Sequence, residues 1–329
     1  MGAGWENMSA GPPVTPERTQ ARLAARLLVE TQLTSLVRAI AIVRKLAGGS
    51  FVFDRGIFFL AILRASGDAL ADWPDAPRDT ANGGGISINA LSQSLHRPFE
   101  TVRRHVNALI DAGLCERTSS GVVVPTSLRD DQDVAALLVH LHDSLVWLVD
   151  EFHAFDMPLP HTAAVGHAYR ADITLAASID LALGAFDNVG LFVSDWLELA
   201  IVGAVLVASV RRITLDSELA RRYSETATFV PIERRDPVSA AAIARALTIP
   251  YSTVRRQILA TVAAGKLVER GRGVLLSDDM LAGPGAAIMG ATATIRTAAL
   301  FGRLVPGGFP FHDPKSAYVA GPPALVDFT

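Results

Sequence analysis

Apolar residues recur every three or four positions in the first part of the chain. Over residues 20–46 the leucine, valine and isoleucine positions fall on one side of a helix, and Gly48 and Gly49 follow as a helix end. The same spacing predicts a second helix over about residues 54–66. The stretch after it is rich in Pro, Gly, Asp and Asn, which predicts a loop.

A unit of two short helices and a hairpin follows the loop. Ser87 is a typical N-cap for a short helix over residues 88–95. A proline begins the next helix, over residues 99–112, and Gly113 ends it. Residues 115–124 then contain two short apolar or mixed runs separated by polar residues, which predicts a two-stranded hairpin.

This unit occurs twice. PFETVRRHVNALIDAG occupies residues 98–113 and PYSTVRRQILATVAAG occupies residues 250–265, an offset of 152 positions. The same offset relates residues 87–122 to residues 239–274 without a gap. Upstream, AILRAS resembles AVLVAS at an offset of 143, so one connection is nine residues longer in the second copy. Surface loops tolerate insertions of this kind. The pattern predicts a duplicated, mainly helical unit.

The repeated helix has an apolar face and a cationic face. At helical spacing Val102, Val106 and Leu109 fall together, whereas Arg103 and Arg104 lie opposite them. The second copy keeps this division, with Val254, Ile258 and Val262 on its inner stripe. A helix that reads DNA needs one face to pack on its own domain and another that carries polar or cationic groups.

The repeated unit resembles the winged helix-turn-helix of bacterial transcription regulators of the GntR and MarR kind. The resemblance lies in the T-V-R-R string, the apolar positions after it, the glycine that ends the helix and the arginine in the hairpin. The order of long helix, short helix, winged domain and closing helix is similar to the MarR arrangement, in which the outer helices of two subunits interlock. This chain departs from that family by carrying two copies, which implies a fused pseudo-dimer. It also lacks the separate effector domain that follows the winged helix in GntR-like proteins.

The resemblance implies double-stranded DNA as the partner and a set of contact residues. In that fold the recognition helix meets bases and phosphates, and a cationic wing residue reaches the adjoining minor groove. The expected DNA-binding residues are Thr101, Arg103, Arg104, Asn107 and Arg117 in the first copy and Ser252, Thr253, Arg255, Arg256, Arg270 and Arg272 in the second.

The expected fold class is mainly α, with two tandem winged helix-turn-helix domains, small β-wings and long packing helices. The chain divides into a flexible N-terminal tail (1–17), a first repeat (18–156, winged helix about 54–125), a second repeat (157–303, winged helix about 194–277) and a Pro/Gly-rich C-terminal tail (304–329). The tail is expected to have no fold of its own, although its phenylalanines leave open that it packs across a groove.

Basic charge is concentrated in the repeated units. Residues 86–125 contain four arginines and three acidic residues, for +1, whereas residues 237–277 contain six Lys/Arg and one acidic residue, for +5. The formal net charge is −3, so the rest of the chain carries −9. This distribution is typical of nucleic-acid binding and predicts a weaker contact by the first copy.

Composition favours a cytoplasmic protein. A single cysteine, Cys115, excludes a disulfide framework and a CxxC zinc site within one chain. The N-terminus has no pattern of a secretory signal. The most apolar segment, residues 196–210, contains Glu198 and is shorter than the roughly 20 residues that a membrane span needs, so we expect a buried helix and no membrane partner.

Several residues have a second interpretation. Cys115 aligns with Leu267 and is expected to be buried rather than a redox sensor. Five histidines lie between His140 and His167 beside carboxylates, but without a metal-binding motif, so we expect neither a metal nor a cofactor. Five aromatic residues could either line an effector pocket or form part of an ordinary helix-packing core. They are Trp147, Phe152, Phe155, Phe192 and Trp196. No catalytic constellation is evident, and we expect no enzyme.

The sequence therefore predicts a sequence-specific DNA-binding transcription regulator with two non-identical winged helices. A winged-helix interaction or scaffold protein and a plasmid-type replication initiator are the alternatives. A small-molecule effector and homo-oligomer formation are left open. The two copies differ at three pairs of positions that are expected on or beside the outward faces, namely Glu100 and Ser252, His105 and Gln257, and Asn107 and Leu259. These differences predict an imperfectly palindromic target.

Overall fold

Helices dominate the computed structural model, which describes residues 20–48, 52–75, 84–160, 168–189 and 193–329. Within these residues the β-structure consists of two small antiparallel hairpins and isolated bridges. The expected mainly α class is confirmed. We call residues 20–160 the first half and residues 168–329 the second half.

The helix and strand bounds lie close to those predicted from the periodicity. The first half contains α1 (Ala21–Ala47), α2 (Val52–Ala65), α3 (Gly67–Leu70), α4 (Ile88–Ser94), α5 (Phe99–Asp111), β1 (Glu116–Thr118), β2 (Gly121–Val123) and α6 (Gln132–Ala154). The second half contains α7 (Ala171–Leu183), α8 (Trp196–Thr214), α9 (Ser217–Arg222), α10 (Ala240–Leu247), α11 (Tyr251–Ala263), β3 (Leu267–Arg270), β4 (Gly273–Leu276), α12 (Asp278–Ala282) and α13 (Pro284–Leu304).

The short helices α4 and α10 begin in the same way. The Ser87 hydroxyl accepts a hydrogen bond from the Ala90 amide at 3.1 Å, and the Ser239 hydroxyl accepts one from the Ala242 amide at 3.1 Å. Each serine satisfies a backbone donor that would otherwise lack a partner at the helix start. The N-cap predicted at Ser87 is thereby confirmed.

The two hairpins also share their register. Strand β2 forms an additional bridge with Ile86, and strand β4 forms the matching bridge with Val238. Gly121 and Gly273 allow this close approach, because a Cβ atom at either position would lie less than 3.0 Å from that neighbouring backbone. The same 152-residue offset therefore relates these local geometries as well as the letters of the sequence.

Helices from the two halves pack between one another. Helix α1 packs on α2 and α6 of its own half and also on α8 and α13 of the other. Helix α7 packs on α13 of its own half and also on α2 and α6. Fully buried residues of both halves, among them Ile40 and Phe59 with Ile201 and Val205, belong to one apolar core.

Helix α8 is a buried helix, as the apolar segment around Glu198 predicted. The Glu198 carboxylate is almost fully buried and contacts the Lys266 ammonium at 2.6 Å. Burial pushes the Glu198 pKa upward, but the Lys266 and Ser194 hydrogen bonds outweigh it and hold the pKa below its usual value. Among the described helices, none combines the length and apolar character that crossing a bilayer requires.

The C-terminal segment is packed against the helices. The rings of Phe309 and Phe311 are buried and lie near Phe301 of α13. The Asp143 carboxylate of α6 accepts hydrogen bonds from three successive backbone amides of this segment, those of Val319, Ala320 and Gly321. The segment therefore packs on α6, α7 and α13, as its phenylalanines left open.

Candidate nucleic-acid interface

Helix α5 is held by one apolar face. Val102, Val106 and Leu109 are fully buried, where α5 packs on α2 and α4. Gly113, with a φ of +74°, lets the chain leave the helix and enter the hairpin. The opposite face is accordingly turned outward, as the periodicity predicted.

Helix α5 has one shallow surface concavity, which four of the residues expected to bind DNA line together with Glu100 and Asp111. These four residues are Thr101, Arg103, Arg104 and Asn107. The fifth, Arg117, comes from β1, and its Nη2 donates a hydrogen bond to Asn107 Oδ1 at 2.7 Å. The structure thus brings the hairpin arginine to the outward face of the helix. Arg103 is not a free cation, because its Nη2 lies 2.8 Å from a Glu100 carboxylate oxygen.

Helix α11 repeats this arrangement with different outward side chains. Val254, Ile258 and Thr261 form its buried stripe. Thr261 thus takes the most buried place on the last turn, and Val262, which was expected there, is only partly buried. Of the residues expected to bind DNA, Ser252, Arg255 and Arg256 are exposed, and Thr253 is partly exposed.

Four exposed arginines of the second half lie on α11 and its hairpin. Arg255 of α11 and Arg272 of the β3–β4 turn line one cleft of about 200 Å³ between the helix and the hairpin, together with Glu269. Arg256 and Arg270 are also exposed. Within the part of the chain that the structure describes, no carboxylate lies within ion-pair distance of any of the four. The helix and its hairpin therefore carry four exposed arginines and one carboxylate, that of Glu269.

The hairpin arginines of the two halves are not equivalent. In the strand register, Arg117 faces Val122, whereas the matching pair in the second half is Glu269 with Val274. Arg270 lies one residue further along its strand, opposite Gly273. The 152-residue offset already places Glu269 at the position of Arg117, and the strand register agrees with it.

His105 does not lie on or beside the outward face, and that expectation was wrong. Its side chain is 2% exposed and stacks on the Phe58 ring at 5.5 Å. Position 105 lies about 60° from Val102 around the helix, on the side that faces α2. Burial lowers the His105 pKa most, and nearby arginines lower it further against the opposing charge of Asp54.

Cys115 is buried beneath the first hairpin, as expected. Burial raises the pKa of its thiol to about 12. The matching Leu267 is also buried. The position serves as a small apolar contact in both halves.

In the histidine-rich region, His142 is part of a buried hydrogen-bond network. No group of His, Cys, Asp and Glu side chains in the described ranges is arranged to hold a metal ion. His142 is buried, and its two ring nitrogens lie 2.8 Å from Asp143 Oδ1 and 2.6 Å from the Tyr169 hydroxyl. His161 and His167 lie outside the described residues.

The aromatic residues considered for an effector pocket lie within the core. Trp147, Phe152 and Phe155 are buried in one apolar cluster, and Trp196 is buried in the other. The Arg97 guanidinium lies 3.9 Å from the centre of the Trp196 ring. Phe192 is outside the described residues. Phe152 packs on Phe301, and Trp196 packs on Phe58 and Phe186. This is the ordinary core that the sequence offered as the other choice.

Comparison with family models, with curated proteins and with solved structures gives no match for this chain. The arrangement of side chains around α5 and α11 is therefore the basis on which a function is assigned.

Proposed function

We propose that this chain is a sequence-specific double-stranded DNA-binding transcription regulator, built from two non-identical winged helix-turn-helix domains fused into a pseudo-dimer. The observation that carries the proposal is the set of four unneutralised arginines on α11 and its hairpin, namely Arg255, Arg256, Arg270 and Arg272. Exposed guanidinium groups on a helix and its adjacent hairpin are suited to contact the regularly spaced phosphates of a duplex.

The element order supports the domain assignment. In each half a long apolar helix is followed by a short helix, a second helix and a hairpin. Helix α8 packs on α10, α11 and β4, and α2 packs on α5 and β2. In a helix-turn-helix the second helix of the pair enters the major groove. The proposal therefore gives α11 and α5 the role of recognition helices, and the hairpins that of wings along the phosphate backbone.

The helical frame supports the pseudo-dimer. Contacts between the halves occur in reciprocal pairs, since α1 packs on α8 while α7 packs on α2, and α1 packs on α13 while α7 packs on α6. A two-fold dimer of separate subunits forms contacts of this reciprocal kind. One polypeptide would thereby hold two recognition helices as a dimer does.

The two recognition helices are expected to differ in strength. In α5 the charge of Arg103 is partly neutralised by Glu100, and Arg117 already donates to Asn107. In α11 the residue that corresponds to Glu100 is Ser252, and Arg255 forms no ion pair among the described residues, although Glu269 lines the same cleft. The second half should therefore supply most of the affinity, and the two half-sites should differ in sequence.

A mobility-shift titration with two double variants tests the proposal. Arg255→Gln with Arg256→Gln removes the α11 contacts and should weaken binding about hundredfold or more, because each good arginine contact contributes about 1–3 kcal/mol. Arg103→Gln with Arg104→Gln should weaken it less. Arg44→Gln with Arg212→Gln is the matched control, since both arginines are exposed and lie outside the proposed interface.

The control double variant should bind as the wild type does. Wild-type affinity in both test variants would overturn the proposal. All variants should fold, because the substituted side chains are exposed. Circular dichroism spectra check this.

A protein-interaction role is the second candidate. Phe99, Tyr251 and Leu259 expose 44%, 50% and 47% of their surface on α5 and α11, which is more apolar surface than a DNA-reading helix requires. Salt dependence separates the two roles, because release of counterions makes DNA binding weaken steeply as salt rises. No affinity for DNA at low salt would favour the protein partner.

A further inference from the structure

A cavity of about 400 Å³ lies between the helical frame and the second hairpin domain. Its walls include α1, α8 and α13, and apolar side chains such as Val202, Leu206 and Met289 cover much of them. Ala264 and Gly265, at the end of α11, and Leu276 of β4 close another side. This volume falls within the range of small-molecule sites in proteins.

Two arginines one helical turn apart line the cavity. Arg26 is 7% exposed, and its Nη1 and Nη2 donate to the carbonyls of Tyr223 and Ala220 at 2.8 and 3.5 Å. Arg22 donates to the carbonyls of Thr226 and Leu281 at 2.8 and 2.9 Å. Carbonyl oxygens satisfy donors but supply no negative charge.

Neither guanidinium has a counterion in the described structure. No carboxylate of the described residues forms an ion pair with Arg22 or Arg26. The Nε of Arg26 is buried and has no acceptor at all. Lys266, a third cation at the cavity wall, is already paired with Glu198 at 2.6 Å, and the lining Asp279 is exposed.

This arrangement is electrostatically unbalanced. Burial, together with the smaller effect of the neighbouring Arg22 charge, lowers the pKa of Arg26 to about 10. Arg26 is still a cation at neutral pH. A buried charge without a partner is unfavourable, and an anion that also covers apolar walls would remove both costs.

We propose that this cavity binds a small apolar carboxylic acid. Its carboxylate would accept hydrogen bonds from Arg22 and Arg26, and its aliphatic or aromatic body would lie on the wall formed by α8 and α13. Charge complementarity selects this ligand class over a neutral or cationic molecule of the same shape.

The position of the cavity gives the ligand a regulatory role, and this part rests on the proposed function. A ligand between α1, α13 and the end of α11 would contact both the frame and the second recognition helix. Binding would favour one orientation of α11 over others and so change the affinity for DNA.

Isothermal titration calorimetry without DNA tests the site directly. The probes are octanoate and 2-naphthoate, with octanamide and octylamine as controls for charge. We expect at least one carboxylate to bind with a Kd below about 1 mM, the amide at least about tenfold more weakly, and the amine not at all. If neither carboxylate binds, or if the amide binds as tightly as octanoate, the proposal is overturned.

Two kinds of variant separate ligand recognition from folding. Arg22→Gln should weaken carboxylate binding about tenfold and leave octanamide binding unchanged. Ala286→Phe keeps both arginines and fills the cavity from α13, and it should abolish binding. Ala291→Phe is its matched control, because Ala291 is exposed on the same helix and does not line the cavity. Binding that survives both Arg22→Gln and Ala286→Phe at wild-type strength would contradict the site.

A second arm distinguishes failure of the site from failure of the proposed function. Carboxylate-selective binding by a protein that has no affinity for DNA would support the site and refute the DNA-binding function. DNA binding by a protein that shows no carboxylate selectivity would do the reverse. When both are present, octanoate or 2-naphthoate should shift the affinity for DNA in the wild type but not in the Ala286→Phe variant.

A capping role for Arg26 gives a different result. The carbonyls of Ala220 and Tyr223 lie at the C-terminal end of α9, where a cation is favourable in its own right. A purely structural arginine would affect stability without discriminating between octanoate and octanamide.

Discussion

The attachment of the C-terminal segment depends on one buried carboxylate. Asp143 is 1% exposed and accepts hydrogen bonds from the Val319, Ala320 and Gly321 amides at 3.0, 2.8 and 3.1 Å. Its Oδ1 also lies 2.8 Å from His142 Nδ1. Asp143→Asn removes the charge and replaces one acceptor oxygen with a donor group that faces backbone N–H groups.

The expected cost follows from these contacts. A hydrogen bond to a charged group contributes about 1.5–3 kcal/mol, and the amide retains one of the two acceptor oxygens. Loss of about half of the contacts, with an N–H group left facing other donors, gives a destabilisation of about 3 kcal/mol. Most of it should appear as local release of the segment from α6, because the lost contacts hold that segment.

Hydrogen exchange measures this release. The Phe311 and Tyr318 amides are suitable reporters, because their acceptors are the carbonyls of Phe309 and Lys315 rather than Asp143. A local loss of about 3 kcal/mol should accelerate their exchange about hundredfold. Asp133→Asn is the control, since Asp133 lies on the same helix and pairs with the exposed Lys45, so its loss should cost less than about 1 kcal/mol.

The effect should also depend on pH with a defined sign. Burial opposes ionisation of Asp143, but the His142 and backbone hydrogen bonds outweigh it, so the folded pKa is below its usual value. The stabilisation is therefore complete above the unfolded pKa of about 3.9 and is lost as pH falls through the folded value. Unchanged reporter exchange in Asp143→Asn at neutral pH would refute this account of the segment.

Three further predictions concern other parts of the chain. Arg211→Met leaves Glu30 buried without its partner at 2.6 Å and should cost about 3–5 kcal/mol in urea denaturation, whereas adding Glu30→Gln should recover much of it. Burial also raises the Glu30 pKa against the pull of Arg211, so its contribution to stability should fall as pH rises from the unfolded to the folded value. Glu100→Ser frees Arg103 and should strengthen DNA binding severalfold in the mobility shift, and unchanged or weaker binding would contradict the assigned role of α5. Cys115 should react with a thiol reagent only on unfolding, and rapid reaction in the native protein would contradict its burial.

Local features of the fold were predictable from the sequence. The Ser87 cap, the helix end at Gly113 and both hairpins depend on interactions within a few residues, which the letters encode directly. The outward arginines of α11 were predictable for the same reason, because helical spacing alone separates them from Val254 and Ile258.

Contacts between distant segments were not predictable. Arg26 bonds to Tyr223, 197 residues away, and Asp143 bonds to Ala320, 177 residues away. No periodicity relates such positions, so the cavity with its two guanidinium groups and the course of the C-terminal segment emerge only from the packed structure. His105 was misassigned because its place at the edge of the buried stripe depends on what α2 presents to it.

Selection of bound sequences from a pool of random DNA duplexes tests the central claim most directly. The purified protein should enrich two unequal half-sites about one helical turn apart, and the Arg255→Gln with Arg256→Gln variant should lose the stronger one. A perfectly symmetric site would contradict the difference between α5 and α11. No enrichment at low salt would contradict the assignment of this chain as a DNA-binding regulator.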